Sequence, residues 1–284
     1  MSTRRGRAGD DGGTLHAGDR VQLIDTRKRR YSFTLALGGA YHFHAGIVRH
    51  DDLIGTEEGV VVETSLGQRV AVLRPTLADH VFSMPRVAQV IYPKDLGAIL
   101  MLADLFPGAR VFESGVGSGA LTTAALRAIG REGSLLAYEL RDDMAASAAR
   151  NVETFLGEGW PLELECRDAY EGIDAEGLDR VLLDLPEPWR MVPHAEHALR
   201  GGGIFLAYLP TIGQVAELHR ALGGSALQFG ETVEVFQRSW HVTEESVRPD
   251  HRMVAHTGFL TTARVVRGDL GTIRPRRRNR SGVS

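Results

Sequence analysis

From Gly108 onward the sequence alternates between short apolar runs and amphipathic segments, and this alternation restricts the possible folds more than any other feature. Short runs of branched apolar residues are typical of buried strands, whereas apolar residues three and four apart are typical of helices. Strands that alternate with helices imply a mostly parallel sheet covered by helices on both faces. The sequence therefore predicts an α/β domain over residues 93–268.

The elements of this domain can be predicted from the same periodicity and from the glycines that end the helices. The predicted strands are Arg110–Glu113, Ser134–Glu139, Leu162–Cys166, Arg180–Asp184, Ile204–Leu209, Thr232–Trp240 and Gly258–Val266. The predicted helices are one that begins at Pro93, then Ala120–Ile129, Arg141–Leu156, Met191–Leu199 and Ile212–Leu222.

The N-terminal part of the chain has a different pattern. Residues 15–75 contain short alternating segments, a hairpin signal at Ser65-Leu-Gly-Gln and no convincing long helix, which predicts a small β-domain, such as a partly closed barrel. Residues 76–92 are predicted to be a connector. Residues 1–14 are polar and glycine-rich without periodicity, so they are predicted to be disordered.

Charge and cysteine content limit the setting in which such a chain works. The net charge of −3 includes five arginines in Arg274–Arg280, so the body is acidic and the tail, residues 269–284, is predicted to be a flexible basic segment. Cys166 is the single cysteine and cannot form an intrachain disulfide. No apolar run is long enough to span a membrane, and the N-terminus does not resemble a secretory signal. These features predict a cytoplasmic protein without a membrane contact.

The sharpest local signal is the glycine-rich segment Glu113-Ser-Gly-Val-Gly-Ser-Gly119, which follows a predicted strand and opens a predicted helix. Glycines at such a point permit a tight turn and let a ligand approach the backbone closely. Gly115-x-Gly117-x-x-Ala120 fits a relaxed dinucleotide fingerprint, and the segment with its Glu113 also fits the nucleoside-binding loop of a methyltransferase. A purely structural turn is the third interpretation.

Acidic residues follow three successive predicted strands. Glu139 ends the second strand, Asp168 follows the third, and Asp184 ends the fourth, before Leu-Pro-Glu-Pro-Trp189. A carboxylate after the second strand can accept hydrogen bonds from both ribose hydroxyls, and one after the third can accept from an adenine amino group. Asp184 lies where open α/β sheets carry their chemistry.

These motifs together resemble one family. In chain order, they are Ser83-Met-Pro-Arg86, Gln89-Val-Ile-Tyr-Pro-Lys-Asp95, the glycine loop, Asp184-Leu-Pro-Glu-Pro-Trp189, Tyr208-Leu-Pro and His256-Thr-Gly-Phe-Leu260. With the β-rich N-terminal segment, they resemble the tRNA (adenine-N1)-methyltransferases that modify position 58 of the T-loop, especially the bacterial homotetrameric branch. The resemblance implies a Rossmann-like class I methyltransferase domain, S-adenosyl-L-methionine as cofactor, tRNA as substrate and a homotetramer.

The resemblance also implies roles for individual residues in holding the cofactor. Gln89 and Ile91 would close over it, Glu139 would hold its ribose, and Asp168 would hold its adenine amino group. The residues expected to cradle its methionine part are Glu113, Gly115, Val116, Gly117, Ser118, Gly119, Ala120 and Leu121.

The same resemblance assigns the substrate side of the site. Asp184 would be the catalytic residue and would face both the transferred methyl group and the target adenine. Tyr92 and Tyr208 would position the target base. His256 is grouped with them as substrate-binding, without an individual role.

Other functions remain open from the sequence. They are a class I methyltransferase that acts on a small molecule or a protein carboxyl group, an NAD-dependent oxidoreductase, and a non-enzymatic tRNA-binding subunit. Gly115, Gly117, Gly119 and Asp184 favour a catalytic chain over the last of these. The arginine-rich tail is either a solvated segment or an arm that contacts tRNA phosphates.

Several conspicuous residues are predicted to be structural. His42, His44 and His50 are too few to form a convergent metal site, so no metal is predicted. Cys166 is predicted to be a small buried apolar residue. The aromatic side chains of Trp160 and Trp240 are predicted to lie in the core.

Overall fold

The structure, a computed structural model, describes residues 13–85 and 89–268. Its N-terminal part contains a four-stranded antiparallel sheet in the order β2-β1-β6-β5 and a separate β3–β4 hairpin. The strands are β1 (Arg20–Asp25), β2 (Arg30–Thr34), β3 (Ala40–Phe43), β4 (Gly46–Arg49), β5 (Val61–Glu63) and β6 (Arg69–Leu73). Thr14, expected in the disordered N-terminus, forms a β-bridge with Glu57, and the adjacent Leu15 is fully buried.

The expected connector contains a short helix, α1 (Leu77–Ser83), which the sequence analysis does not predict. Thr76 and Asp79 form a capping box at its start, because the Thr76 hydroxyl accepts from the Asp79 amide and the Asp79 carboxylate accepts from the Thr76 amide. This pairing satisfies two backbone donors that would otherwise have no partner in the helix. Thr-x-x-Asp is a weaker sequence signal than the glutamate form, and seven residues are too few to show a helical period.

The larger part of the chain forms a seven-stranded sheet in the order β12-β15-β11-β10-β7-β8-β9. Strands β11, β10, β7, β8 and β9 are parallel, and β15 is antiparallel to β11 and β12. The strands are β7 (Arg110–Ser114), β8 (Ser134–Glu139), β9 (Leu162–Cys166), β10 (Leu178–Leu183), β11 (Leu199–Leu209), β12 (Leu227–Glu234) and β15 (Phe259–Val265). The expected mostly parallel sheet is therefore confirmed.

Helices cover both faces of this sheet, because successive strand residues point to opposite sides. Val111 packs into the layer under α2, α3 and α4, whereas its neighbour Phe112 packs into the layer under α5 and α6. The helices are α2 (Pro93–Leu102), α3 (Ala120–Ile129), α4 (Asp142–Leu156), α5 (Val192–Ala198) and α6 (Ile212–Leu222). Single 3-10 turns span His50–Asp52, Ala169–Glu171 and Pro188–Met191.

Three structural expectations are wrong at the edges of the sheet. The last predicted strand before Gly258, Thr232–Trp240, runs past the true end of β12 at Glu234, and the chain continues into a hairpin, β13 (Trp240–Val242) and β14 (Val247–Pro249). Trp240 is 58% exposed and outside the core. Cys166 is exposed because β9 is an edge strand. Trp160 is half-buried and packs against the core, as predicted.

We expect Thr76→Ala to lower the free energy of unfolding by about 1 kcal/mol, the usual effect of removing an N-cap side chain. The matched control is Thr154→Ala on α4, an exposed helix residue whose hydroxyl donates to the Arg150 carbonyl, where the change should stay within about 0.5 kcal/mol. Chemical denaturation measures both. Equal stability of the Thr76→Ala variant and the parent would contradict the role of the capping box.

Candidate active site

The glycine loop lies at the carboxyl end of β7 and leads directly into α3. Gly115, Gly117 and Gly119 have φ angles of +86°, +56° and +82°, a backbone region that other residues rarely adopt. A Cβ on Gly115 would lie 2.0 Å from the carbonyl oxygen of Asp184. The loop therefore requires glycine at this position for two independent reasons, and the ends of β7 and β10 come into direct contact.

Three carboxyl groups gather around this loop from three neighbouring strands. Glu113 is completely buried on β7, and its Oε1 accepts a hydrogen bond of 2.9 Å from the Thr122 hydroxyl. Burial raises the pKa of Glu113 to about 8, and the negative charges of Asp184 and Glu139 contribute to the increase. Glu139, at the end of β8, accepts hydrogen bonds from the backbone amides of Gly117 and Arg141 at 3.0 and 3.2 Å.

Asp184 is the third member of this group and directly follows β10. Burial raises its pKa to about 7, and the charge of Glu139 contributes to the increase. Among the described residues, none donates a hydrogen bond that lowers the pKa of this carboxylate. Its backbone amide, by contrast, is bound to the Ser114 carbonyl at 2.9 Å. At neutral pH, Asp184 is therefore close to half ionised, and its carboxyl group lines the pocket where a ligand can reach it.

Asp168 lies two residues after the end of β9. It caps the 3-10 turn Ala169–Glu171 by accepting from the Tyr170 amide at 2.9 Å. This contact fixes the side chain at the carboxyl edge of the sheet and leaves acceptor capacity on the carboxylate. The three acidic strand ends that the sequence singles out, Glu139, Asp168 and Asp184, are thus all at this edge.

A small pocket joins the glycine loop to the segment before α2. Its lining residues are Gln89, Val90, Ile91, Gly115, Val116, Gly117, Ser118, Ala120, Leu121 and Asp184. Two buried oxygens nearby, Glu113 Oε2 and Ser118 Oγ, have no hydrogen-bond partner among the described residues. Buried polar atoms of this kind are normally satisfied, so they indicate a place for a ligand. Clustered carboxyl groups further favour a ligand that carries positive charge, and these features fit S-adenosyl-L-methionine.

The two tyrosines lie close enough to interact electrostatically, and Tyr208 also senses the charge of Asp184. Tyr92 is half-buried and is the residue before the first turn of α2. Tyr208, near the end of β11, donates its hydroxyl hydrogen to the Thr257 carbonyl at 2.5 Å. Burial raises the pKa of Tyr208 to about 12, and the nearby charges of Asp95 and Asp184 add to this increase. Tyr208 therefore stays a neutral phenol beside Asp184.

The His256 side chain is engaged with the protein at both ring nitrogens. Its Nδ1 lies 2.6 Å from Glu234 Oε1, and its Nε2 lies 2.9 Å from the Pro210 carbonyl oxygen. The bond to Glu234, followed by the bond to Pro210, raises the pKa of His256. The two ring nitrogens thus connect the end of β11 to the end of β12. The expected contact of His256 with the substrate stays a prediction.

A buried polar group that adjoins Tyr208 is not predicted from the sequence. It consists of the side chains of Lys94, Asp95 and Thr257 and the carbonyl of Val235. The motifs that contain these side chains are visible in the sequence, but nothing in either motif indicates that they meet in the fold. We call this group the 94–257 network.

The described part of the chain lacks two other kinds of site. Within residues 13–85 and 89–268, no group of three or more His, Cys, Asp or Glu side chains could hold a metal ion. Among the helices described, none has the length and apolar character needed to cross a membrane. The arginine-rich tail and most of the expected disordered N-terminus lie outside the described residues.

The strand order, the glycine loop and the acidic strand ends together define a class I S-adenosylmethionine-dependent methyltransferase fold. The sequence model of the tRNA methyltransferase complex GCD14 subunit matches residues 68–249, and that of the TrmI-like N-terminal region matches residues 13–62. The chain belongs to this family of tRNA methyltransferase subunits.

Individual relatives agree with this assignment. The tRNA (adenine(58)-N(1))-methyltransferase TrmI of Thermus thermophilus is 39% identical, over 85% of this chain and 95% of its own length. A TrmI of Methanocaldococcus jannaschii, named for adenines 57 and 58, is 32% identical over 86% of this chain and 94% of its own length.

Two solved structures have the same fold over nearly the whole chain. A Thermotoga maritima protein, described as an S-adenosylmethionine-dependent O-methyltransferase, has a TM-score of 0.86 and 34% identity, over 92% of this chain and 98% of its own. The tRNA (m1A58) methyltransferase TrmI of Aquifex aeolicus has a TM-score of 0.77 and 27% identity, over 90% of this chain and 100% of its own.

We expect Gly115→Ala to weaken the binding of S-adenosylhomocysteine by about tenfold or more. Alanine at positive φ costs about 1–2 kcal/mol, and 1.4 kcal/mol is about tenfold in affinity. The loop can relieve the clash with the Asp184 carbonyl only by leaving its present geometry. Titration calorimetry measures the affinity.

The matched control for this substitution is Gly97→Ala on α2, where an added Cβ would meet no atom within 4 Å. This variant should bind like the parent protein. If Gly115→Ala also bound like the parent, the close approach of the β7 and β10 ends would not matter for the cofactor.

Proposed function

We propose that this chain transfers a methyl group from S-adenosyl-L-methionine to N1 of adenine 58 in the T-loop of tRNA, which gives 1-methyladenosine. The observation that supports this most directly is Asp184, a half-buried carboxylate with a pKa raised to about 7. It lines the pocket at the glycine loop and is near enough to Tyr208 to raise the pKa of that phenol. The family membership supports tRNA as the substrate, since the Thermus thermophilus TrmI, which is named for tRNA adenine 58, matches this chain over 95% of its own length.

Cofactor binding follows from the residues around the glycine loop. The loop from Glu113 to Leu121 would hold the methionine part, with Gln89 and Ile91 over it. Glu139 would accept from the ribose hydroxyls, and Asp168 would accept from the adenine amino group. The bound cofactor supplies a methyl group on a sulfonium, and its positive charge would compensate the cluster of carboxyl groups.

The chemistry asked of the protein is alignment and proton handling. N1 of adenine lies on the base-pairing edge, so the base must leave its stacked position and enter the pocket. Tyr92 and Tyr208 would hold the base there, and an aromatic ring offers a stacking face. Alkylation at N1 places positive charge on the ring and acidifies the exocyclic N6 amine. Asp184 would accept a hydrogen bond from N6–H, stabilise this charge and take up the proton.

The same proposal includes self-association into a homotetramer, as the sequence resemblance implies. An exposed apolar surface near the β13–β14 hairpin supports self-association, because monomeric proteins rarely expose a cluster of large apolar side chains to water. Phe236, Trp240, Val242 and Val247 are between 58% and 68% exposed. Association would also bring arginines of several copies together, which an acidic body needs in order to attract tRNA phosphates.

We expect Asp184→Asn to reduce the rate of methyl transfer to tRNA by about 10²–10⁴-fold, the usual contribution of a positioned acid–base group. Asparagine keeps the shape of the side chain and cannot accept the proton. The assay is transfer from labelled S-adenosylmethionine to an unmodified tRNA transcript, followed by nucleoside analysis. The control is Asp52→Asn, an exposed carboxylate of the β-domain, which should keep the parental rate.

Three outcomes would contradict the proposal. Unchanged turnover of Asp184→Asn would remove this carboxylate from the mechanism. Label that persists after adenine 58 of the tRNA is replaced would exclude that adenine as the methylated base. No transfer to tRNA despite measurable cofactor binding would exclude tRNA as the substrate. The latter result would favour a different substrate for this fold, since the Thermotoga maritima protein with a TM-score of 0.86 is described as an O-methyltransferase.

We expect the affinity for S-adenosylmethionine to rise with pH up to about pH 8, the pKa of the buried Glu113. A cation beside the site favours the ionised carboxylate, so binding releases a proton from a group that is protonated at neutral pH. The stability of the unliganded protein should depend on pH in the opposite direction. Its folded state disfavours ionisation, so its stability should fall as pH rises from the ordinary value of 4.5 towards 8.

Calorimetry in two buffers of different ionisation enthalpy measures the released proton directly. Glu113→Gln mimics the neutral carboxyl group and should abolish most of the pH dependence of affinity. Asp184, whose pKa of about 7 is also raised, accounts for the remainder. A wild-type affinity that does not change between pH 6 and pH 8 would show that the carboxyl groups do not sense the cofactor's charge.

A further inference from the structure

The 94–257 network contains a buried ion pair at the start of α2. Lys94 Nζ lies 2.7 Å from Asp95 Oδ1, and the two side chains are 6% and 0% exposed. The ammonium also donates to the Val235 carbonyl at 2.7 Å and to Thr257 Oγ1 at 2.6 Å. The Thr257 hydroxyl donates in turn to Asp95 Oδ2 at 2.6 Å. All three donors of the lysine and both carboxylate oxygens are therefore satisfied.

Such a pair is a poor device for stability alone. Removing two charges from water is costly, and well-packed apolar side chains often replace a buried ion pair without loss. What the network does provide is a fixed geometry between distant parts of the chain. Lys94 is separated from Val235 by 141 residues and from Thr257 by 163 residues. The network thus attaches the start of α2 to the segments that follow β12 and precede β15.

Both tyrosines of the site are attached to this network. Tyr92 precedes Lys94 by two residues and is the N-cap residue of α2. Tyr208 donates to the carbonyl of Thr257, the same residue whose hydroxyl joins Lys94 to Asp95. The two tyrosines thus come from distant segments of the chain, and the network joins these segments.

The neighbours of Thr257 hold Tyr208 from two further directions. A Cβ on Gly258 would lie only 2.4 Å from Cζ of the Tyr208 ring, so the backbone at this glycine lies directly against the ring. On the other side of Thr257, His256 bonds to the carbonyl of Pro210, two residues after Tyr208. The segment His256–Gly258 therefore fixes the hydroxyl, the ring and the following backbone of this tyrosine.

We propose that Lys94, Asp95 and Thr257 are positioning residues that set the distance between Tyr92 and Tyr208, and thereby the opening that admits the target base. This inference rests on the proposed function, because the base pocket belongs to that function. It gives the Pro93-Lys94-Asp95 and His256-Thr257-Gly258 motifs one shared role. These residues are expected to affect the target base and not the cofactor, since none of them lines the pocket at the glycine loop.

The test compares Thr257→Val with Thr257→Ser. Valine keeps the shape of the side chain, the Thr257 carbonyl and the contact between Lys94 and Asp95, and it removes the bridging hydroxyl. Serine keeps the hydroxyl. We expect kcat/KM for tRNA to fall about tenfold or more in the valine variant, because small displacements of positioning groups reduce rates strongly. The serine variant should recover to within about threefold of wild type.

The affinity for S-adenosylhomocysteine separates positioning from general damage. It should stay within about twofold of wild type in both variants, because none of the network residues lines the pocket at the glycine loop. A purely structural residue would lower cofactor affinity and tRNA turnover together, or would change neither below the unfolding temperature. Either of these patterns in Thr257→Val would overturn the proposal.

A second readout does not need tRNA. Hydrogen–deuterium exchange of the amides in residues 92–96 and 206–212 should be faster in Thr257→Val than in wild type, and close to wild type in Thr257→Ser. Exchange that is unchanged in the valine variant would overturn the inference. If wild-type protein does not methylate tRNA, the proposed function fails, and the exchange experiment still decides whether the 94–257 network holds the two tyrosine segments.

Discussion

The contact between Gly115 and the Asp184 carbonyl is the constraint on which the rest of the site depends. Strands β7 and β10 are parallel neighbours, with Ser114 opposite Leu183, so their carboxyl ends meet at the switch in strand order. Only a residue without Cβ allows the chain to turn there, since a Cβ would lie 2.0 Å from the carbonyl oxygen. This turn starts α3 and brings Glu113 and Asp184 to the same place, so the backbone geometry and the chemistry have one origin.

The electrostatics of the site favour a cationic ligand. Glu113 and Asp184 have pKa values raised to about 8 and about 7 by burial and by neighbouring carboxylates. A protein without a ligand at this position would carry this unfavourable cluster for no gain. In the proposed function, the sulfonium of the cofactor would reverse the sign of the interaction, and Asp184 would then be available as an ionised acceptor for the substrate. Under this proposal, cofactor binding and proton acceptance would be two consequences of the same group of charges.

Local patterns in the sequence predict some elements to the residue and miss others. The bounds of α3, β8, β9 and α6 agree to the residue, because glycines and apolar periodicity mark them within a short window. Helix α1 and the end of β12 are not predicted, since seven residues show no period and an apolar run continues past Glu234. The 94–257 network could not be predicted, because hydrogen bonds between residues 163 positions apart leave no local pattern.

The most direct test of the central claim locates the added methyl group on the RNA. Reverse transcription stops at a base methylated on N1, because the modification blocks the base-pairing edge. We predict a stop at position 58 of an unmodified tRNA that has been incubated with this protein and S-adenosylmethionine, and read-through when either is omitted. Read-through at position 58 despite methyl transfer to the tRNA would contradict the account, since the modified atom would then lie elsewhere.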